Sequence, residues 1–356
     1  MNIGRLDMIT PDEQRFRRSP QLSFSATLAP RQAAALRRWS RQVPTIYFLD
    51  IMMVDAAKRS LSKTLADARK GARATRLRRL DKQGNAFSYL LAMLEKVSDP
   101  REKLTREQLA DQIRLDTVAL KKFTRNARFY EPPEFVEQCL RDILGSDIET
   151  MTPRYIDFLS VMNSRLNVGS KVAPGQRFAK AGEIFAEADA LGVPRSHPVV
   201  LVTLGCLYDN DDARGVLKFG HRTKKPFDPV NVLADIMLIR RFAEKKVEIE
   251  DMGRQGLSPY VRAELITDDK SLARLVPYFE PTGVTHVDEE DVSLCNLEAT
   301  VHLARLLTDL GAARDIAEAA RVDGEESEQD EYDRVCDMIL APPASTEAVC
   351  APVSST

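Results

Sequence analysis

Histidine, tryptophan and cysteine are scarce: four, one and five respectively among 356 residues. The cysteines, at 139, 206, 295, 336 and 350, are odd in number and never form a CxxC pair, which excludes a disulfide framework and a zinc knuckle. His197, His221, His286 and His302 are too dispersed for a histidine-based metal site. Neither a Ser-His-Asp nor a Cys-His arrangement is visible. No GxGxxG or Walker motif occurs, so enzymes built on nucleotide cofactors are excluded. The longest apolar run, Pro198 to Tyr208, spans eleven residues. A membrane helix needs ~18–20. The opening MNIGRLDMITPDEQRFRR is charged and lacks a signal-peptide core. The expectation is a soluble, cytoplasmic protein with no membrane partner and room for one large domain or two modest ones.

What is abundant is charge, and it is unevenly spread. From Asp288 onward there are 17 acids against four basic residues, whereas residues 1–287 carry 47 basic residues and 36 acids. A basic body suggests a polyanionic partner, and an acidic end can shield it. The densest basic segment holds Lys63, Arg69, Lys70, Arg73, Arg76, Arg78, Arg79 and Lys82. Helix formers dominate it, and its basic face is either simply solvated or a phosphate-contacting surface. A second basic cluster, His221, Arg222, Lys224 and Lys225, lies in a loop over 220–229.

The apolar pattern is punctuated by acids. Val43-Pro44-Thr45-Ile46-Tyr47-Phe48-Leu49 reads as a strand buried on both faces, and it stops at Asp50. An acid there sits where α/β proteins place ligands, or else caps the next helix. Ala263-Glu264-Leu265-Ile266-Thr267 is a second short strand, running into Asp268-Asp269, which are also candidate caps for a helix from Ser271. Two apolar helical stretches carry one acid each: 87–97 with Glu95, and 231–241, the first part of a helix expected over 231–246, with Asp235. Helices are further expected over 31–41, 105–129 (with a Thr105/Gln108 capping box), 134–144, 153–163, 178–191 and 292–320. The run 199–208 is ambiguous between strand and buried helix by periodicity alone, and its Leu-Gly-Cys-Leu-Tyr half, followed by Asp209-Asn210-Asp211-Asp212, argues for a helix ending in a turn. The Asp209-Asn210-Asp211-Asp212 cluster lacks the spacing of a calcium loop and reads as a turn. Disorder is expected from about residue 341, where Ala, Pro, Ser and Thr dominate.

Acids in apolar surroundings are costly unless a cation compensates them, and Mg²⁺ or Mn²⁺ is the usual remedy for several at once. The order of the four elements resembles the PIN-domain nucleases: a strand ending in Asp, a helix carrying Glu, a later helix carrying Asp, and a closing strand with Thr and acid. LITDDKSLARL, Leu265 to Leu275, is the part most similar to the family's last motif. The resemblance implies a Rossmann-like three-layer α/β/α core whose acidic pocket holds Mg²⁺ or Mn²⁺ and hydrolyses RNA. By position it implies Asp50, Glu95 and Asp235 as the first three ligands and Asp268 or Asp269 as the fourth, with Thr267 orienting a ligand or water. Ile51 and Met52 follow the first Asp, where the family usually has a small or polar residue and then Asn.

The expected organisation is an N-terminal extension and helix (1–42), a first part of the core (43–99), a large helical insertion (100–195), a second part of the core (196–287), an acidic helical region (288–340) and a disordered tail (341–356). RNA phosphates are expected along Arg69, Lys70, Arg73, Arg76, Arg78 and Arg79 and along Arg222, Lys224 and Lys225. The acidic end would fold back over them. A protein inhibitor or self-association is a further possible partnership. The alternative, resting mainly on Met52, is a catalytically degenerate PIN-like adaptor of a toxin or defence system.

Overall fold

Thr45–Leu49 forms β1, and all five of its side chains are buried. The computed structural model describes residues 30–40, 42–58, 67–101, 104–143, 152–219, 226–289, 292–313 and 331–341. Helix α1 (Pro30–Ser40) precedes β1, and α2 (Ile51–Lys58) and α3 (Ala68–Leu80) follow it. Strand β2 (Ala86–Ser88) then pairs parallel with β1, Tyr47 opposite Phe87. Helices α4 (Leu90–Val97) and α5 (Arg106–Phe123) lead to β3 (Arg128–Phe129), parallel to β2. After a long helical excursion β4 (Arg262–Ile266) returns to the other side of β1, with Phe48 opposite Leu265. The sheet order is thus β3-β2-β1-β4, all parallel.

This order creates a switch point. The chain leaves β1 toward β2 and β3, and comes back on the opposite side at β4. The switch point lies at the carboxyl ends of β1 and β4, the usual ligand position in open α/β sheets. The ladder continues one step past the strands, where the Asp50 amide donates to the Ile266 carbonyl at 3.2 Å.

Alternation along β1 divides the core in two. Tyr47 and Leu49 join Phe87 and side chains of α2, α4 and α5, including Met53, Met93 and Ile113. Ile46 and Phe48 join the larger cluster on the opposite face. That cluster is built by α7 (Thr152–Ser164), α8 (Pro174–Ala190), α9 (Pro198–Leu207), α10 (Asp211–Leu217) and α11 (Pro229–Arg254). Helix α6 (Pro133–Ile143) contributes Val136 and Leu140 to the first cluster. The result is a mixed α/β molecule, its parallel sheet covered by helices on both faces. Among the described residues no helix is long and apolar enough to cross a membrane.

The ambiguous run 199–208 is a helix. All ten residues of α9 are buried, so it has no polar face and its apolar pattern carries no period. The expected capping box of α5 forms: Thr105 Oγ1 accepts from the Gln108 amide, and Gln108 Oε1 accepts from the Thr105 amide.

Other boundaries move. Ala86–Ser88 is strand rather than the start of the Glu95 helix, because its backbone completes the ladder beside β1. Arg128–Phe129 is strand rather than helix end, so the sheet reaches into the mostly helical insertion expected from residue 100. The largest correction is at 292–320. Val292–Val301 is β6, paired antiparallel with β5 (Phe279–Glu289), which a short 3₁₀ turn (Val276–Tyr278) connects to α12 (Lys270–Leu275). Cross-strand pairing overrides the weak local preference there. Helix α13 (Leu303–Leu306) follows, and α14 (Glu331–Leu340) buries Tyr332, Val335, Cys336 and Ile339.

Candidate acidic site at the carboxyl end of the sheet

Asp50 leaves β1 and begins α2. Its Oδ1 accepts from the Met53 amide at 2.7 Å, so it does cap that helix. Its Oδ2 reaches across the switch point to accept from the Asp268 amide at 3.3 Å, and the Thr267 hydroxyl donates to the same carboxylate. Cap and cross-strand tie are therefore one residue. Burial pushes the Asp50 pKa up, and these donors hold it back.

Glu95 lies in the last turns of α4. That helix is started by Glu131, a buried acid that accepts from the Ser88 hydroxyl and from the amides of Tyr89 (3.1 Å) and Leu90 (3.3 Å). Glu95 itself accepts from the Ile51 amide. Its pKa is pushed up to about 7, by burial first and then by the charges of Asp50 and Asp235, while Arg241 works in the opposite direction.

Asp235 sits in the second turn of α11, whose start is fixed by Pro229 and by an Asp228 cap on the Asn231 amide. Burial raises its pKa to about 6, the Asp269 and Asp50 charges add to the rise, and Lys218 opposes it. Asp269 caps α12, accepting from Ser271 (2.9 Å) and Leu272 (3.0 Å), and its amide donates to Thr267 Oγ1 at 3.0 Å. Its other oxygen lies 3.6 Å from Lys218 Nζ.

Asp50, Glu95, Asp235 and Asp269 thus act on one another electrically, around one end of the sheet. Asp268 does not join them. It turns to α3, accepting from Arg73 at 2.6 Å and Arg69 at 3.2 Å, and these partners hold its carboxyl below the usual range. Between the two acids that follow Thr267, geometry puts Asp269 in the cluster and Asp268 on its outer wall. Thr267 is buried between Asp50 and Asp269, and its carbonyl accepts from Arg76 at 2.8 Å.

Part of the basic segment is tied to the rest of the fold. Arg73 is only 5% exposed, Arg76 braces the Thr267 carbonyl, and Arg78 donates to the Phe123 carbonyl with its guanidinium over the Phe123 ring. Lys70 pairs with Asp67 at 3.7 Å. Arg69, 77% exposed, and Arg79 remain at the surface. Arg222, Lys224 and Lys225 lie outside the described residues.

Two site residues carried no signal strong enough to be singled out in the sequence: Lys218, just before the 220–229 loop, and Arg241, one of a basic pair on α11. Both face acids that only the fold brings near. A small cleft of about 50 Å³ opens beside Glu95, bordered by Arg101, Ile156, Asn231, Met237 and Arg241.

Among the described residues, no three acidic, histidine or cysteine side chains stand close enough together to hold one metal ion. The bonding explains it: Asp50 and Asp269 spend oxygens on backbone amides, and the Lys218 ammonium sits 2.9 Å from Asp235. As donor chemistry the set does fit a hard divalent cation, since carboxylate oxygens are its preferred ligands and the charges of these acids raise one another's pKa. No family model, curated protein or solved structure matches the chain.

Proposed function

We propose that the protein is a PIN-like, metal-dependent ribonuclease. One observation carries the reading: carboxylates from four separate elements lie near enough at the switch point of a parallel sheet to feel one another's charge, and burial together with the Asp50 and Asp235 charges raises the Glu95 pKa to about 7. Asp50, Glu95, Asp235 and Asp269 would hold Mg²⁺ or Mn²⁺, which when bound supplies neutralising charge and an acidified water for phosphodiester hydrolysis. The chain's own part is positional. Thr267 and the Met53 and Asp268 amides fix the Asp50 carboxylate, Glu131 fixes the helix of Glu95, and Arg241 moderates the charge on Glu95. Exposed Arg69 and Arg79 add positive field for an RNA backbone.

The test is divalent-dependent cleavage of single-stranded RNA by the wild type and by Asp50→Asn. Activity in the wild type and a loss of at least about 100-fold in the variant is the expected result. Equal activity in both would remove this site from the chemistry.

A second reading, a degenerate PIN-like adaptor without nuclease activity, is favoured by Met52. It is 45% exposed at the start of α2, two residues after Asp50. Its signature would be no cleavage by either protein.

A further inference from the structure

Lys218 places a cation directly against two acids of the pocket. Its Nζ stands 2.9 Å from Asp235 Oδ2 and 3.6 Å from Asp269 Oδ2, so one ammonium bridges the two elements, α11 and the start of α12, that close the site. The residue is held there by an uncommon backbone. It ends α10 in the left-handed region (φ 54°), where helices ordinarily place Gly or Asn because a Cβ is disfavoured. Gly215, one turn earlier, has no side chain, and a Cβ there would collide with Ser271 of α12. The close approach of α10 to α12 is what brings Lys218 within reach of Asp269. The side chain remains 39% exposed, so it enters the pocket from solvent rather than from the core.

Resting on the metal-site reading above, we infer that Lys218 is a tethered counter-ion that occupies the place of a divalent cation and is displaced from Asp235 and Asp269 when one binds. A tethered ammonium at these acids competes with metal for the same oxygens, and its exposed stem gives it a way out. Lys218 is a positioning residue in this scheme and touches no reacting atom.

The test is Mn²⁺ binding at pH 8, by titration calorimetry, to the wild type, Lys218→Met and Lys218→Arg, with thermal melting of the metal-free proteins alongside. Expected results are a roughly tenfold tighter apparent Mn²⁺ affinity for Lys218→Met, a lower metal-free melting temperature, and recovery of that temperature on adding Mn²⁺. Lys218→Arg keeps the charge and should bind Mn²⁺ no more tightly than the wild type. If the wild type binds Mn²⁺ and Lys218→Met binds it equally or more weakly, the inference is overturned while the metal-site reading stands. If none of the three proteins binds Mn²⁺, both fall together. Should Lys218→Met not fold, Lys218→Gln serves in its place, because an exposed stem tolerates a polar neutral end.

Discussion

Glu95 and Asp235 hold their protons to unusually high pH, about 7 and about 6, because each is half-buried and each feels the charge of its neighbours. Unfolded, both would titrate near the ordinary carboxylate value of roughly 4. Between that value and pH 7 the folded chain binds more protons than the unfolded one, so stability falls as pH rises through this window and levels off above it. One pKa unit corresponds to about 1.4 kcal/mol, and residual solvent discounts the full shift, so about 2 kcal/mol is expected from Glu95. Urea denaturation in EDTA should therefore show greater stability at pH 5 than at pH 8, and Glu95→Gln should flatten much of that slope. An unchanged slope in the variant would mean that Glu95 does not sit among the acids as described. The residue scale also explains what a linear reading could see. Asp50 was legible because a five-residue apolar strand ends on it. Which of Asp268 and Asp269 faces the pocket was not, because that depends on where Arg73 of α3 lies.

Helix α3 illustrates how an element recognised from its composition takes on a structural role that composition does not show. Eight basic residues within 63–82 suggest a phosphate-binding face, yet the helix uses Arg73 and Arg76 to brace the Thr267–Asp268 corner that follows β4. Composition reports the number of charges; only packing reports their direction. Arg73→Ala should cost about 2 kcal/mol in chemical denaturation, since it removes a buried cation from a partly buried pair. Arg79→Ala, at the exposed end of the helix, should change stability by less than about 0.5 kcal/mol. Equal, negligible effects of the two would return Arg73 to the surface. The strands tell a similar story. Strands β1 and β4 carry their own signal in apolar runs, whereas β2, β3 and β6 exist because a partner strand lies beside them. Two or three residues such as Arg128–Phe129 contain too little pattern to announce a strand.

Across the whole molecule the acidic C-terminal part is not simply an appendage. Helix α14 packs Tyr332, Val335, Cys336 and Ile339 into the helical core. Glu331 accepts from the Tyr208 hydroxyl at 2.9 Å, the Met338 carbonyl accepts from Arg195 at 2.7 Å, and Arg334 lies 3.7 Å from the Phe178 ring centre. Ending the chain after residue 341 should leave the urea midpoint unchanged. Ending it after residue 320 should cost several kcal/mol, at about 1.5–3 kcal/mol for each large buried apolar side chain. Equal midpoints for the two truncations would show that α14 contributes nothing. Charge shielding by the segment 323–330, which lies outside the described residues, is better tested by neutralising its acids than by deletion, since deletion would remove α14 as well. The Asp268 amide meets the Asp50 carboxylate across 218 residues of chain. At roughly 5–20 residues per second of synthesis, Asp50 and Glu95 emerge some 10–40 s before Asp269 can reach them. Until β4 is threaded beside β1 the four acids are not assembled, so whatever this site does waits on the last third of the chain to be made.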